Sequence, residues 1–273
     1  MKKATRTTAI LIAIIMMLSV QTGIFAQEQV QIISAPVDQP SEWAVEGVRW
    51  SAVYGLAGQE MYGEYASKVT REELYSVCGS VYEKLTGDII IPIDVSPFSD
   101  TDSEAVLKAY AADILNGTGE FRPESDVSRL EMVTGLCNTI KAAQPDFNYK
   151  ADINLAFSDA GKISGDSLDI VKYAVSKGIL KGRSNDVLDL DSTCSRQELM
   201  VFAKNVYEFV IYESGSESKG AFWKVSDEDS SIYLLGSIHV ADSSLYPLSE
   251  AILNAYEAFF SVELILFIPV ICV

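Results

Sequence analysis

Apolar residues recur at helical spacing in three stretches of this 273-residue chain. The stretches over 74–85 and 199–209 place apolar residues three or four positions apart on one face of a helix. The stretch over 132–140 is weaker, because Gly135 and Thr139 fall on its apolar face. This periodicity predicts three amphipathic helices, each with one buried face.

A short polar phrase precedes each of these helices. Residues 69–73 read VTREE, residues 127–131 read VSRLE and residues 194–198 read CSRQE. A hydroxyl residue three positions before a glutamate forms a capping box, in which each side chain satisfies a free backbone N–H group at a helix start. We therefore expect three helix starts, with the capping pairs Thr70 and Glu73, Ser128 and Glu131, and Ser195 and Glu198.

The same phrase places an arginine at the first position of each predicted helix, namely Arg71, Arg129 and Arg196. A helix start carries partial positive charge, so a cation there is disfavoured by about 0.3–1 kcal/mol. Three such placements predict an anionic partner, and the planar guanidinium suits a carboxylate. The alternative is an ordinary ion pair with a glutamate such as Glu72 or Glu131, worth about 0–1 kcal/mol.

A second helical pattern and a glycine-marked turn lie upstream of each capped helix. The arginines are 58 and 67 residues apart, which indicates an array of similar units. Each unit is too small to bury its own apolar faces, whereas three packed together could do so. We predict a mainly α fold of three pseudo-symmetric helix-loop-helix units over 40–92, 95–147 and 152–211.

The chain changes character after these units. Residues 213–220 (ESGSESKG) are small and polar, which predicts a flexible linker. Two strand-like runs, 222–225 and 232–235, then flank an acidic turn and predict a β-hairpin, followed by a helix from about 248 to 259.

The N-terminus is typical of a secretory signal peptide over 1–26. Lys2, Lys3 and Arg6 precede an apolar run over 9–20, and Ala26 is a small residue at a plausible cleavage point. The run is shorter than the roughly 20 residues of a membrane span, so we expect no integral span in the mature chain, with an uncleaved anchor as the alternative.

Charge narrows the range of partners. The chain carries 38 acidic and 21 basic residues, a net charge of −17, which becomes −20 once 1–26 are removed. Such a surface repels nucleic acid, so an anionic ligand must be bound by local arginine sites. The four cysteines lack zinc-like spacing, and Cys78 and Cys137 fall on the predicted buried faces.

Several of these motifs together resemble the S-layer homology (SLH) repeat. They are Phe-Ser-Asp at 98–100 and 157–159, Gly-Ile-Leu-x-Gly at 178–182, and the three Thr/Ser-Arg-x-Glu phrases. The resemblance covers about 40–210 in three copies. It implies a compact, three-fold pseudo-symmetric helical domain that anchors exported proteins to anionic, typically pyruvylated, secondary cell-wall polysaccharide.

The resemblance also implies which residues bind. It assigns ligand-binding roles to Arg71, Arg129 and Arg196, and to Trp43, which corresponds to a tryptophan that often lines the groove. The second and third units lack this tryptophan, and Asp126 and Asp191 add negative charge near their arginines. We expect one or two working grooves, no cofactor for wall binding, and a location at the cell surface of a Gram-positive-type bacterium. The alternative is that the repeats serve protein–protein packing.

The last segment resembles the opening of the TraB/GumN (Tiki-like) family over 221–260, through Tyr-Leu-Leu-Gly-Ser-Ile-His-Val at 233–240 and its flanks. Members are described as metal-dependent proteases or hydrolases. The resemblance implies that His239, the sole histidine, is a catalytic metal ligand for a divalent transition metal, with Glu263 near the position of a catalytic carboxylate. A satisfied structural histidine is the alternative.

A catalytic metal generally takes about three protein ligands, and the family's second Gly-x-x-His is absent from this sequence. The resemblance therefore implies that residues 221–273 are the start of an incomplete α/β domain. We expect a truncated segment with its activity lost, and wall anchoring as the function that the chain retains. A fragment of a wall-attached hydrolase is the alternative reading.

Overall fold

The computed structural model describes residues 38–183, 186–228, 231–237, 245–259 and 267–269. The predicted signal peptide over 1–26, His239, Glu263 and Cys272 lie outside the described residues. The α-helices are α1 (Val45–Tyr54), α2 (Arg71–Thr86), α3 (Glu104–Ala111), α4 (Arg129–Ala143), α5 (Asp166–Ser176), α6 (Arg196–Glu213) and α7 (Glu250–Phe259). The strands are β1 (Phe222–Ser226), β2 (Ser231–Ser237) and β3 (Phe267–Pro269), and short 3-10 helices cover Glu42–Ala44, Gln59–Met61 and Ala160–Lys162.

The prediction of a mainly helical chain with a C-terminal hairpin is confirmed. The three periodic stretches are α2, α4 and α6, and each helix begins at its arginine. The apolar faces of these helices meet in one core, in which Leu74, Met132 and Leu199 are fully buried. The helices upstream of the capped ones complete the core: α3 packs on α2, α5 on α4, and α1 on α6.

The crossing of α1 and α6 is close enough to depend on a glycine. A Cβ atom added at Gly47 would lie 2.5 Å from a methyl carbon of Val201 and 3.3 Å from its Cα. Real Cβ contacts are not that short, so the two backbones approach here because position 47 has no side chain. This contact joins α1, the first helix of the array, to α6, its last helix.

The C-terminal part forms a small sheet. β1 and β2 pair antiparallel, with Phe222 opposite Leu235 and Ser226 opposite Ser231. β3 pairs parallel with β2, and α7 lies between them in the chain. The order β1-β2-β3 therefore combines a hairpin with one β-α-β connection.

The segment predicted to be a flexible linker has backbone partners. The Ser218 N–H group donates to the Pro247 carbonyl at 3.0 Å, and the Ser218 carbonyl accepts from Ser249 N–H at 2.8 Å. These hydrogen bonds hold Ser218 beside the start of α7. The composition of 213–220 carries no information about such partners, because they lie about 30 residues further along the chain.

Candidate functional site

The three polar phrases meet at the centre of the helical part. Val69, Val127 and Cys194, each two residues before an arginine, form a closed ring of backbone hydrogen bonds. Val69 N–H donates to the Cys194 carbonyl at 2.9 Å, Cys194 N–H to Val127 at 3.0 Å, and Val127 N–H to Val69 at 2.9 Å. We call these phrases and the first turns of α2, α4 and α6 the helix-start cluster.

The first backbone N–H of each capped helix donates to a loop of another unit. These N–H groups have no partner within their own helix, so an outside acceptor is needed. The acceptors are loop carbonyls, all at 2.9–3.0 Å: Arg71 N–H donates to Ser125, Arg129 N–H to Ser192, and Arg196 N–H to Ser67. The direction is the same at all three helices, from one unit to the next and from the last back to the first.

The capping side chains complete these helix starts. Thr70 and Glu73 form a reciprocal capping box, with Glu73 N–H donating to the threonine hydroxyl at 3.2 Å and Thr70 N–H to the carboxylate at 3.0 Å. Ser128 accepts from Glu131 N–H at 3.1 Å, and Glu198 accepts from Ser195 N–H at 2.9 Å.

The arginine side chains form a cycle of ion pairs between helices. Arg71 donates to Glu131 at 2.6 Å, Arg129 to Glu198 at 3.4 Å, and Arg196 donates from Nε to Glu73 at 3.0 Å. Each guanidinium therefore pairs with the capping glutamate of another helix. This carboxylate offsets the cost of placing a cation at a helix start. The structure therefore contains arginine–glutamate ion pairs, and the two partners of each pair lie on different helices.

The three arginines differ in exposure. The Arg129 side chain is 5% exposed, whereas those of Arg71 and Arg196 are 25% and 19% exposed. Arg129 lies 4.9 Å from the Phe202 ring and donates to the Lys181 carbonyl at 2.8 Å, and burial lowers the pKa of its guanidinium. Arg129 is held within the protein, so Arg71 and Arg196 are the accessible members of the set.

Arg183 belongs to the same cluster and was missed by sequence reasoning. Its guanidinium donates to Glu198 at 2.7 Å and to Asp189 at 2.8 Å. Burial raises the pKa of Glu198, but the hydrogen bonds from Ser195 N–H and Arg183 outweigh it, and the net pKa is lowered. The only sequence signal was the position of Arg183 directly after the Gly-Ile-Leu-x-Gly turn.

The aspartates of the two Phe-Ser-Asp motifs accept hydrogen bonds from the loops that lead into the helix-start cluster. The Asp100 carboxylate accepts from the N–H groups of Phe121 and Arg122, each at 2.7 Å. The Asp159 carboxylate accepts from those of Leu188 and Asp189, at 3.0 and 2.8 Å. These backbone bonds lower the pKa of both aspartates. The repeated Phe-Ser-Asp motif marks these two aspartates in the sequence, but it does not show that they bind the loop backbone.

The three loops share an unusual backbone position. Glu64, Arg122 and Asp189 each lie seven residues before an arginine and have φ values of 46°, 60° and 57°. Positive φ is uncommon for residues other than glycine. The same conformation at the same offset indicates that the three loops enter their helices in the same way.

Trp43 lies near the start of α6. Its side chain is 59% exposed, within the 3-10 helix Glu42–Ala44. Two residues earlier, Ser41 N–H donates to the Gln197 side chain at 2.8 Å, next to Arg196 in the chain. Of the three arginines, Arg196 is thus the one whose helix contacts the segment that carries Trp43.

The predicted metal centre cannot be built from the described residues. His239 and Glu263 both lie outside them. Among the described ranges, no group of three or more His, Cys, Asp or Glu side chains is arranged to hold a metal ion. The helices that the structure describes are each too short or too polar to cross a membrane.

Comparison with known families assigns two regions. Residues 94–133 match the S-layer homology domain. This match overlaps the second predicted repeat, including Arg129 and its capping residues. Residues 221–264 match the TraB/PrgY/gumN family, which confirms the second resemblance.

One relative is an endoglucanase from Bacillus sp. (strain KSM-635). It is 24% identical over 139 residues, which amount to 47% of this chain and 15% of the endoglucanase. The chain therefore spans a small part of that relative's length. Together with the match to the S-layer homology domain, this similarity points to a cell-surface or secreted bacterial protein.

Proposed function

We propose that this chain is an exported protein that attaches to the cell wall of a Gram-positive-type bacterium by binding anionic secondary polysaccharide, of which a pyruvylated glycan is one form. The SLH match at 94–133 carries the proposal. In this proposal, the signal peptide over 1–26 directs export, and the helical part attaches the TraB-type segment to the wall.

The helix-start cluster supports the idea that all three predicted repeats are SLH units with three-fold pseudo-symmetry. The ring of Val69, Val127 and Cys194 uses residues at the same offset from each arginine. The ion-pair cycle and the positive φ positions recur with the same offsets. Equivalent contacts between all neighbours are expected of units that pack around one axis.

Within this proposal the two partly exposed arginines bind the glycan. Arg71 pairs with Glu131 through Nε. Arg196 pairs with Glu73 through Nε and one terminal nitrogen, while its other terminal nitrogen lies 3.6 Å from Glu64. Arginine has five N–H donors, so Arg71 can bind a ligand carboxylate beside Glu131. Glu64 is mostly exposed, so a ligand carboxylate can replace it at Arg196. Trp43, exposed near the start of α6, adds an aromatic surface to the Arg196 site. Arg129 serves mainly to hold the helices together.

Sedimentation of the full chain with purified sacculi tests the arginine mechanism. Lysine at positions 71 and 196 keeps the charge but cannot form the bidentate contact, so the double variant Arg71→Lys/Arg196→Lys should pellet about tenfold less strongly. Arg49→Gln, which removes an exposed cation from α1, is the matched control and should pellet normally. Undiminished pelleting of the double variant would exclude the two arginines as the glycan contacts.

The match at 221–264 favours a second candidate, a fragment of a wall-attached metal-dependent hydrolase. Its divalent metal would be held by His239, with Glu263 as the carboxylate, and would supply an activated water for hydrolysis. Metal analysis of the purified chain tests this. Retention of about one transition metal per chain, lost in His239→Ala, supports the hydrolase reading. Equal metal content in both proteins contradicts it.

A further inference from the structure

Three clefts of the helical part lie between corresponding helices. Each is lined by residues eight and twelve positions after an arginine: Gly79 and Glu83 on α2, Cys137 and Lys141 on α4, and Lys204 and Glu208 on α6. The opposite walls are α3, α5 and α1. The clefts beside α3 and α5 have volumes of about 270 and 360 Å³, and that beside α1 has about 750 Å³.

The largest cleft, which we call the aromatic cleft, has a different lining from the other two. Trp50 of α1 lies 5.5 Å from Tyr54 and 5.2 Å from Tyr246, between ring centroids. Phe222 and Tyr233 of the hairpin are stacked at 5.9 Å and form part of the other wall, together with apolar side chains of α7. The C-terminal segment thus closes one side of a cleft that the helical units begin. Ligand sites often lie at such junctions and have volumes of about 300–1,000 Å³.

Among the described residues, the polar groups of the aromatic cleft offer no free cation to a ligand. Glu208 accepts from the Tyr54 hydroxyl at 2.8 Å and from Lys204 at 2.6 Å, so the charges of Glu208 and Lys204 offset each other. Glu46 lies exposed at the rim and adds one negative charge to the lining. An anionic ligand is therefore repelled, whereas the carboxylates can accept hydrogen bonds from the hydroxyl groups of a neutral ligand.

We infer that the aromatic cleft binds an uncharged sugar chain. A pyranose ring presents C–H groups that pack on aromatic faces and hydroxyls that both donate and accept, which matches this lining. On α6 the cleft begins eight residues, or about 12 Å, beyond Arg196, so it is separate from the helix-start cluster.

Saturation-transfer NMR on the full chain tests this inference, with chitotriose as the uncharged probe. We expect transfer to be strongest at the ring C–H protons of chitotriose, because these would face the tryptophan and tyrosines. Trigalacturonic acid tests an anionic chain of equal length, and 1-hexanol tests a purely apolar occupant. Equal binding of trigalacturonic acid, or binding of hexanol without chitotriose, would overturn the inference.

Substitutions locate the site. Trp50→Leu removes the central ring and should weaken chitotriose binding about tenfold. Glu46→Gln, on the exposed rim, leaves packing unchanged and should weaken it about threefold. Glu104→Gln, in the polar cleft beside α3, is the matched control and should bind like the unmodified chain. Unchanged binding in both Trp50→Leu and Glu46→Gln would contradict the assignment.

The Arg71→Lys/Arg196→Lys variant separates this site from the wall-binding proposal. It should bind chitotriose normally even where pelleting with sacculi is lost. Loss of chitotriose binding in that variant would place the sugar at the arginines and would overturn the separate site.

Discussion

Arg129 and Glu198 form the most buried of the three ion pairs that join the capped helices, with side chains 5% and 13% exposed. Arg129 opens α4 and Glu198 caps α6, so two residues that are 69 positions apart in the chain join two helix starts. It explains how the protein accommodates a cation at a helix start: the compensating charge comes from the next helix.

Replacing Arg129 should therefore destabilise the fold. Arg129→Met removes one partner of a buried pair, and since Arg183 still contacts Glu198, we expect a loss of about 2 kcal/mol in the free energy of unfolding. Urea denaturation measures it. Arg122→Ala, at an exposed pair with Glu120, should cost less than about 0.5 kcal/mol. Equal losses of unfolding free energy would show that the Arg129–Glu198 pair stabilises the fold no more than an exposed pair does.

Two helical glycines should respond oppositely to alanine. Gly47→Ala forces a Cβ against Val201 and should cost about 1–3 kcal/mol. Gly79→Ala meets nothing closer than 3.9 Å and should stabilise α2 by up to about 1 kcal/mol, because alanine has the higher helix propensity. Thermal unfolding followed by circular dichroism compares them. Stability changes of the same sign for both substitutions would mean that α1 and α6 do not approach as closely as described.

Acid should weaken the helix-start cluster. The pKa of Glu198 is lowered in the folded protein, so its contribution to stability is present above the usual glutamate pKa of about 4.3 and is lost as the pH falls through the folded value. Glu198→Gln should be less stable than the unmodified chain at pH 6, and the gap should narrow by pH 3.5. A gap that widens in acid would contradict the direction assigned to this pKa.

The buried cysteines should be unreactive in the folded chain. Burial raises the pKa of the Cys78, Cys137 and Cys194 thiols to about 12, which suppresses the reactive thiolate. In a Cys272→Ser background, Ellman's reagent at pH 8 should label none of them within minutes and all three after unfolding in urea. Rapid labelling of the native chain would show that the core around α2 and α4 opens readily.

Local signals in the sequence predicted the helix starts well. A capping box is contained within four residues, and Thr70 with Glu73 needs no information from the rest of the chain. The partners of the arginines could not be predicted in the same way. Arg71 and Glu131 are 60 residues apart, and their pairing depends on how the capped helices pack.

Tertiary packing also determined what the C-terminal part contacts. The composition of 213–220 predicted a flexible linker. Nothing in those residues indicates that Ser218 forms hydrogen bonds with residues 247–249. The aromatic cleft could not be predicted for the same reason. Trp50 and Tyr246 lie almost 200 residues apart, and no local pattern links them.

We propose above that the chain attaches to the polysaccharide of the wall. The most direct measurement is sedimentation of the full chain with two preparations of the same sacculi, one intact and one stripped of covalently bound secondary polysaccharide. We predict that most of the chain pellets with intact sacculi and that little pellets with stripped ones. Equal pelleting with both would contradict the claim, because the attachment would then be to peptidoglycan itself or to nothing specific.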